Sequence, residues 1–173
     1  MILVEADASE EWDSSTDWAA LAERAVGSAI AASALAALGD SALMIEVSVK
    51  FTDNDEVKAL NAAYRRKDKP TNVLSFPMVD ADLLPPLAIA DGGEVLLGDV
   101  VLAHGVCAAE AADKAISIEA HAAHLVVHGT LHLLGYDHET GEEDAGAMEG
   151  VERRALAGIG IADPYPVTEV QPR

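Results

Sequence analysis

Residues 128–138 read HGTLHLLGYDH, with His128, His132 and His138 at offsets of four and then six. Four residues of α-helix turn about 400°, so His128 and His132 leave one face a turn apart. Their imidazole nitrogens can then meet at one ion, at about 2.0–2.1 Å if the ion is zinc. Gly135 is free to take φ > 0 and cap the helix, and a reversal there can bring His138 back as a third ligand. Three protein ligands with a fourth position open to water is the arrangement of a catalytic zinc, whereas structural sites usually close with four. Three imidazoles without a thiolate favour Zn2+, one per chain, although nickel, copper, cobalt and iron also accept imidazole. His121 and His124 continue the stripe toward the N-terminus and read as groups outside the ligand set, or as packing. His104 stands apart.

These side chains need elements to position them. A chain of 173 residues is long enough for one domain with a real core, spanning 1–173, and short for two. Aromatics are only 4%, so the core is expected to be aliphatic. Ile2 to Glu5 reads as a first strand, and Asp17 to about Leu38 as an alanine-rich helix stopped by Gly39. Leu43 to Lys50 alternates as a half-buried strand does, with Ile45, Val47 and Val49 on one face. Asp53, with Glu56 three residues on, makes a capping box for a helix to about Tyr64, whose buried stripe is Val57, Leu60 and Tyr64. Asn72 to Phe76 is a short strand stopped by Pro77. Pro85 and Pro86 lie in a loop, and Glu94 to Ala103 is a further strand. Helices follow at about 104–115, 118–134 and 143–157. Strands early and helices late predict an α+β fold rather than a doubly wound sheet.

Composition narrows the setting. The single cysteine, Cys107, excludes an intrachain disulfide, suits a reducing compartment and reads as a packed small residue. The N-terminus MILVEADASEEWD is acidic where a signal peptide would be basic. The stretch from Ala25 to Leu38 is too short to span a bilayer. A soluble cytoplasmic protein with no membrane partner is the expectation. The net charge of −19 argues against nucleic acid, since basic patches drive most non-specific binding. Yet four of the eleven lysines and arginines fall in RRKDK at 65–69, and a local basic patch can still hold a phosphate chain. A solvated loop would carry the same letters.

The spacing of 128, 132 and 138 with glycine at 135 matches the skeleton of metzincin peptidases, but their general-base glutamate would fall at Gly129. A general base contributes about 10²–10⁴-fold, so this chain keeps a metal platform without the proteolytic base. HGTLHLLGYDH resembles instead the signature of the YbeY family of metal-dependent endoribonucleases. LNAAYRRKDKPTNVLSFP at 60–77, LGDVVLA at 97–103 and ADPY at 162–165 are also similar to that family. The resemblance runs over about 43–165.

The resemblance implies an α+β fold with a small mixed sheet packed with helices and a three-histidine metal site on a helix and turn. It implies a zinc-dependent, single-strand-specific endoribonuclease. The implied partners are ribosomal RNA and ribosomal subunits, through 3′-end maturation of small-subunit RNA and ribosome quality control. By position His128, His132 and His138 take the ligand places and Arg65 that of the family's functional arginine, so Arg65 and His128 are the catalytic candidates. An arginine fork grips phosphate through two parallel hydrogen bonds and stabilises charge developing on it. Arg66, Lys67 and Lys69 are candidates for holding the flanking backbone. Asn72 and Ser75 are either donors to phosphate or ribose or, more in keeping with strand starts, turn caps. Asp99 either orients a ligand histidine or pairs with a lysine, and Asp137 is similarly open. Two rival classes are a metal-dependent hydrolase of a peptide or amide bond and a non-catalytic RNA-binding assembly factor with structural zinc.

Overall fold

The computed structural model describes residues 1–137 and 141–165. Four strands make one sheet in the order β1-β2-β4-β3: β1 is Ile2–Ala8, β2 Met44–Thr52, β3 Val73–Pro77 and β4 Glu94–Ala103. β1, β2 and β4 run parallel, and β3 is antiparallel to β4 at the edge. The helices are α1 Trp18–Ala32, α2 Asn54–Arg65, α3 His104–Asp113, α4 Ile118–Leu133 and α5 Glu142–Gly158. The class is α+β with a small mixed sheet, as expected. Strands and helices nevertheless alternate through α2, and only the chain after β4 is wholly helical.

One face of the sheet carries the main core. Ile45, Val47, Val49 and Phe51 of β2 are buried on it, while Glu46, Ser48 and Lys50 turn away. α1 packs against β1, α4 and α5, and its inner face is Ala22, Ala25, Val26, Ala29 and Ile30, all fully buried. Three alanines there replace the bulk that aromatics would bring and let the helix lie close. α4 lies against β3 and β4 and is buried nearly all round, which explains why its sequence reads as apolar apart from its histidines. The other face is covered at one end only. α2 packs on β3 and β4 there, over Val57, Leu74, Val101 and Ala103.

Three local expectations are corrected. α1 ends at Ala32, six residues early, because the Ser33 hydroxyl turns back to the Ile30 carbonyl at 2.7 Å and the Ala34 N–H donates to the Tyr136 hydroxyl. A serine side chain competing for helix carbonyls leaves no trace in an alanine-rich pattern. Ala36–Asp40 and Pro85–Ile89 form short 3₁₀ turns. The third concerns α2. Its start is as read, with Asp53 accepting from the Glu56 N–H at 2.7 Å. Its stripe is not: Val57 is fully buried, but Tyr64 is 70% exposed. The helix closes after Arg65, where Arg66 takes the left-handed conformation at φ 57°, and Phe76 meets only one edge of the Tyr64 ring.

Candidate metal centre and its cleft

α4 begins at Ser117, whose hydroxyl accepts from the Ala120 N–H at 3.0 Å, and ends in a turn around Gly135 with φ +97°. A Cβ there would stand 2.7 Å from Ala81 Cβ, so both the backbone sign and the space call for glycine. The turn swings the Tyr136 carbonyl to within 3.0 Å of His132 Nδ1. His128 Nδ1 lies 2.9 Å from Glu152 Oε2. A carbonyl and a carboxylate only accept, so both Nδ1 atoms carry the hydrogen and both Nε2 atoms present a lone pair. Those two Nε2 atoms face each other at 3.1 Å. Two lone pairs at that separation call for a cation between them, and a tetrahedral zinc would set its nitrogens roughly 3.3 Å apart. The pair therefore fits a metal. Among the described residues no third His, Cys, Asp or Glu completes a set, and His138 lies outside the described residues.

Glu152 is the residue that sequence reasoning missed. It is 1% exposed, on the face of α5 that buries Met148, Val151, Ala155 and Leu156. An acid inside an apolar stripe was the available signal. Its Oε2 takes His124 Nε2 at 3.0 Å as well as His128, and Tyr165 donates its hydroxyl to Oε1 at 2.9 Å. Burial pushes the carboxyl up, but the hydrogen bonds of His124 and His128 prevail and hold it down to about 2. Burial and the Glu152 charge push the Tyr165 phenol up, so it remains a donor. His121, also buried, meets Glu110 at 2.8 Å. His121 and His124 thus each hold a carboxylate.

The histidine pair opens on a cleft of about 590 Å³ walled by Arg65 from the end of α2, Ser75 and Pro77 from β3, and Tyr136 and Asp137 from the turn. Arg65 and His132 come from elements far apart in the chain and meet at this one opening. A scan against family models matches residues 7–160 to the family described as "Endoribonuclease YbeY".

The chain belongs to the YbeY family.

It is 57% identical to the endoribonuclease YbeY of Rhizorhabdus wittichii, over 98% of this chain and 99% of that protein. It is 54% identical to that of Sphingopyxis alaskensis, over 95% and 98%. The solution structure of TM1509 from Thermotoga maritima shares the fold, with a TM-score of 0.54 at 23% identity, over 92% of this chain and 91% of that one.

The YbeY motif residues divide at the cleft. Arg66, Lys67 and Lys69 do not line it. They sit in the exposed loop past α2, which Asn61 ties back by donating to the Lys69 carbonyl at 2.8 Å and accepting from the Lys67 N–H at 3.2 Å. Asn72 and Ser75 both line the opening, and Asn72 also accepts from the Val73 N–H at 2.7 Å and donates to Glu110. Among the described residues Asp99 meets no histidine. It opposes Ser48 and Phe76 on the far face of the sheet, because side chains on β4 alternate and Val100 takes the α4 side. Gly129, in the place of a peptidase glutamate, has no room for a side chain: a Cβ would lie 2.7 Å from Val100 Cγ1. Cys107 is fully buried and burial pushes its thiol up to about 12, which leaves no nucleophile. His104 stacks edge-on against Trp12 at 5.1 Å.

Proposed function

We propose that this protein is a zinc-dependent, single-strand-specific endoribonuclease of ribosomal RNA processing. Its work includes 3′-end maturation of the small-subunit RNA and ribosome quality control, in the cytoplasm and on ribosomal subunits. The observation that carries the reading is one open cleft shared by an arginine fork and a pair of convergent imidazole lone pairs. The residues that would hold the ion are His128, His132 and, by its position in the motif, His138, and when bound it supplies Lewis-acid polarisation and activation of water near neutral pH. Arg65 grips the scissile phosphate and stabilises the charge that develops there. Glu152 and the Tyr136 carbonyl hold both imidazoles in the ligating tautomer. Arg66, Lys67 and Lys69, outside the cleft, lead the flanking phosphates toward it. The lack of space at Gly129 counts against peptide hydrolysis.

The test incubates pure, metal-quantified protein with structured ribosomal RNA beside a His132→Ala control prepared identically. Wild type should hold about one zinc and cut single-stranded segments. The variant should lose most of both, and also thermal stability, because metal binding counts toward folding. Equal cutting by the two would sink the reading.

A further inference from the structure

The far face of the sheet carries a mostly apolar groove of about 340 Å³ lined by Tyr64, Phe76, Met78, Leu60 and Val101, with Lys50 and Asp99 also on it. Among the described residues Tyr64 is the only exposed aromatic. Its ring meets Phe76 edge-on, centroids 5.4 Å apart at 68°, so one edge is braced and the ring stays open to a partner. Met78 is also exposed.

The groove and the cleft are two sides of one edge strand. Ser75 and Pro77 of β3 face the cleft, while Phe76 and the following Met78 face the groove. The last turn of α2 straddles the same boundary, sending Arg65 to the cleft and its neighbour Tyr64 to the groove. Charge follows the same geography. Arg65, Arg66, Lys67 and Lys69 are four of the eleven cations of a chain with net charge −19 and fall together at the end of α2, whereas the nearby Lys50 and Lys58 are paired with Glu56 and Asp68. A polyanion entering this molecule is drawn to that corner. Aromatic rings beside a cationic track are how proteins seat single strands, because every base has a stacking face.

We propose that the groove is a nucleobase subsite. A base of the single strand, next to the phosphate held at Arg65, turns over the β3 edge and stacks on Tyr64. This rests on the RNA-cleaving reading above. It gives a physical cause for the single-strand preference, since a paired base cannot leave its stack to enter the groove.

The test titrates metal-loaded protein into single-stranded hexanucleotides of 2′-O-methyl RNA. Each carries one 2-aminopurine, whose emission falls on stacking. Quenching should occur at one position. Tyr64→Ala should abolish it and weaken binding about tenfold without changing the salt dependence, while Tyr64→Phe keeps both and Tyr64→Leu keeps no quenching. Tyr64 is exposed, so these variants should keep the wild-type melting temperature. If Tyr64→Ala quenches and binds as wild type while Arg65→Ala binds weakly, the subsite is overturned and the nuclease reading stands. If wild type binds no hexanucleotide, the nuclease reading itself falls. If Tyr64→Ala binds RNA normally but no longer associates with ribosomal subunits, the groove takes a protein and the nucleobase proposal is wrong.

Discussion

Arg65 and Glu152 act on the same cleft through different physics, and their variants should separate cleanly. Arg65→Ala should keep zinc near one per chain while RNA cleavage falls about 10²–10³-fold, the loss expected for one charge-stabilising donor. Lysine should rescue poorly, because a point charge cannot copy the planar fork. Metal analysis beside single-turnover cleavage checks this, and wild-type turnover under saturating RNA would reduce Arg65 to a surface charge. Glu152→Ala should do the reverse of Arg65→Ala at the metal. It strips the acceptor from His128 Nδ1 and frees the wrong tautomer, so zinc affinity should fall about 10–100-fold in competition with a chromophoric chelator, whether or not RNA is present. Unchanged affinity in the folded variant would show that His128 needs no such partner. Arg65 was legible in the sequence because it sits in a contiguous motif. Glu152 was legible only as an acid inside an apolar helix stripe, and its role was not, because its partners lie 24 and 28 residues back on another helix.

At the scale of elements, the contact of α4 with β4 decides the identity of residue 129. Alanine is the better helix former by about 1 kcal/mol. Its methyl would nevertheless press on Val100 Cγ1 at 2.7 Å, on a stiff β-branched side chain in an inner strand, and overpacking costs about 1–3 kcal/mol. Gly129→Ala should therefore lower the melting temperature, and Val100→Ala in the same background should recover part of the loss. Simple additivity of the two changes would mean that they do not touch. The strands and helix starts were readable because alternation and capping are local. Where α1 stops was not, since it depends on Tyr136 reaching back to residue 34. Nor was the exposure of Tyr64. Periodicity assigns a residue to a helix face and says nothing of whether that face has a neighbour.

Across the whole molecule, an acidic protein that handles RNA must confine its cations. Lys67→Ala and Lys69→Ala should each weaken RNA binding modestly and flatten the plot of log affinity against log salt, by about 0.7 for each lost phosphate contact on a single strand. Arg24→Ala, on the exposed side of α1, should change neither. Equal slopes for all three variants would mean that the corner around α2 is not where phosphate binds. Net charge alone pointed away from nucleic acid. The distribution pointed toward it, and only the fold shows that Arg65, which leads into the basic loop, opens on the same cleft as the histidine pair.

The two tryptophans of the chain give the molecule a built-in optical gauge. Trp12 and Trp18 stand edge-on at 4.9 Å, with Phe51 against both, and neither lines the cleft. Emission excited near the red edge of indole absorption will thus follow the docking of the segment before α1 onto β2, and stay silent when RNA arrives.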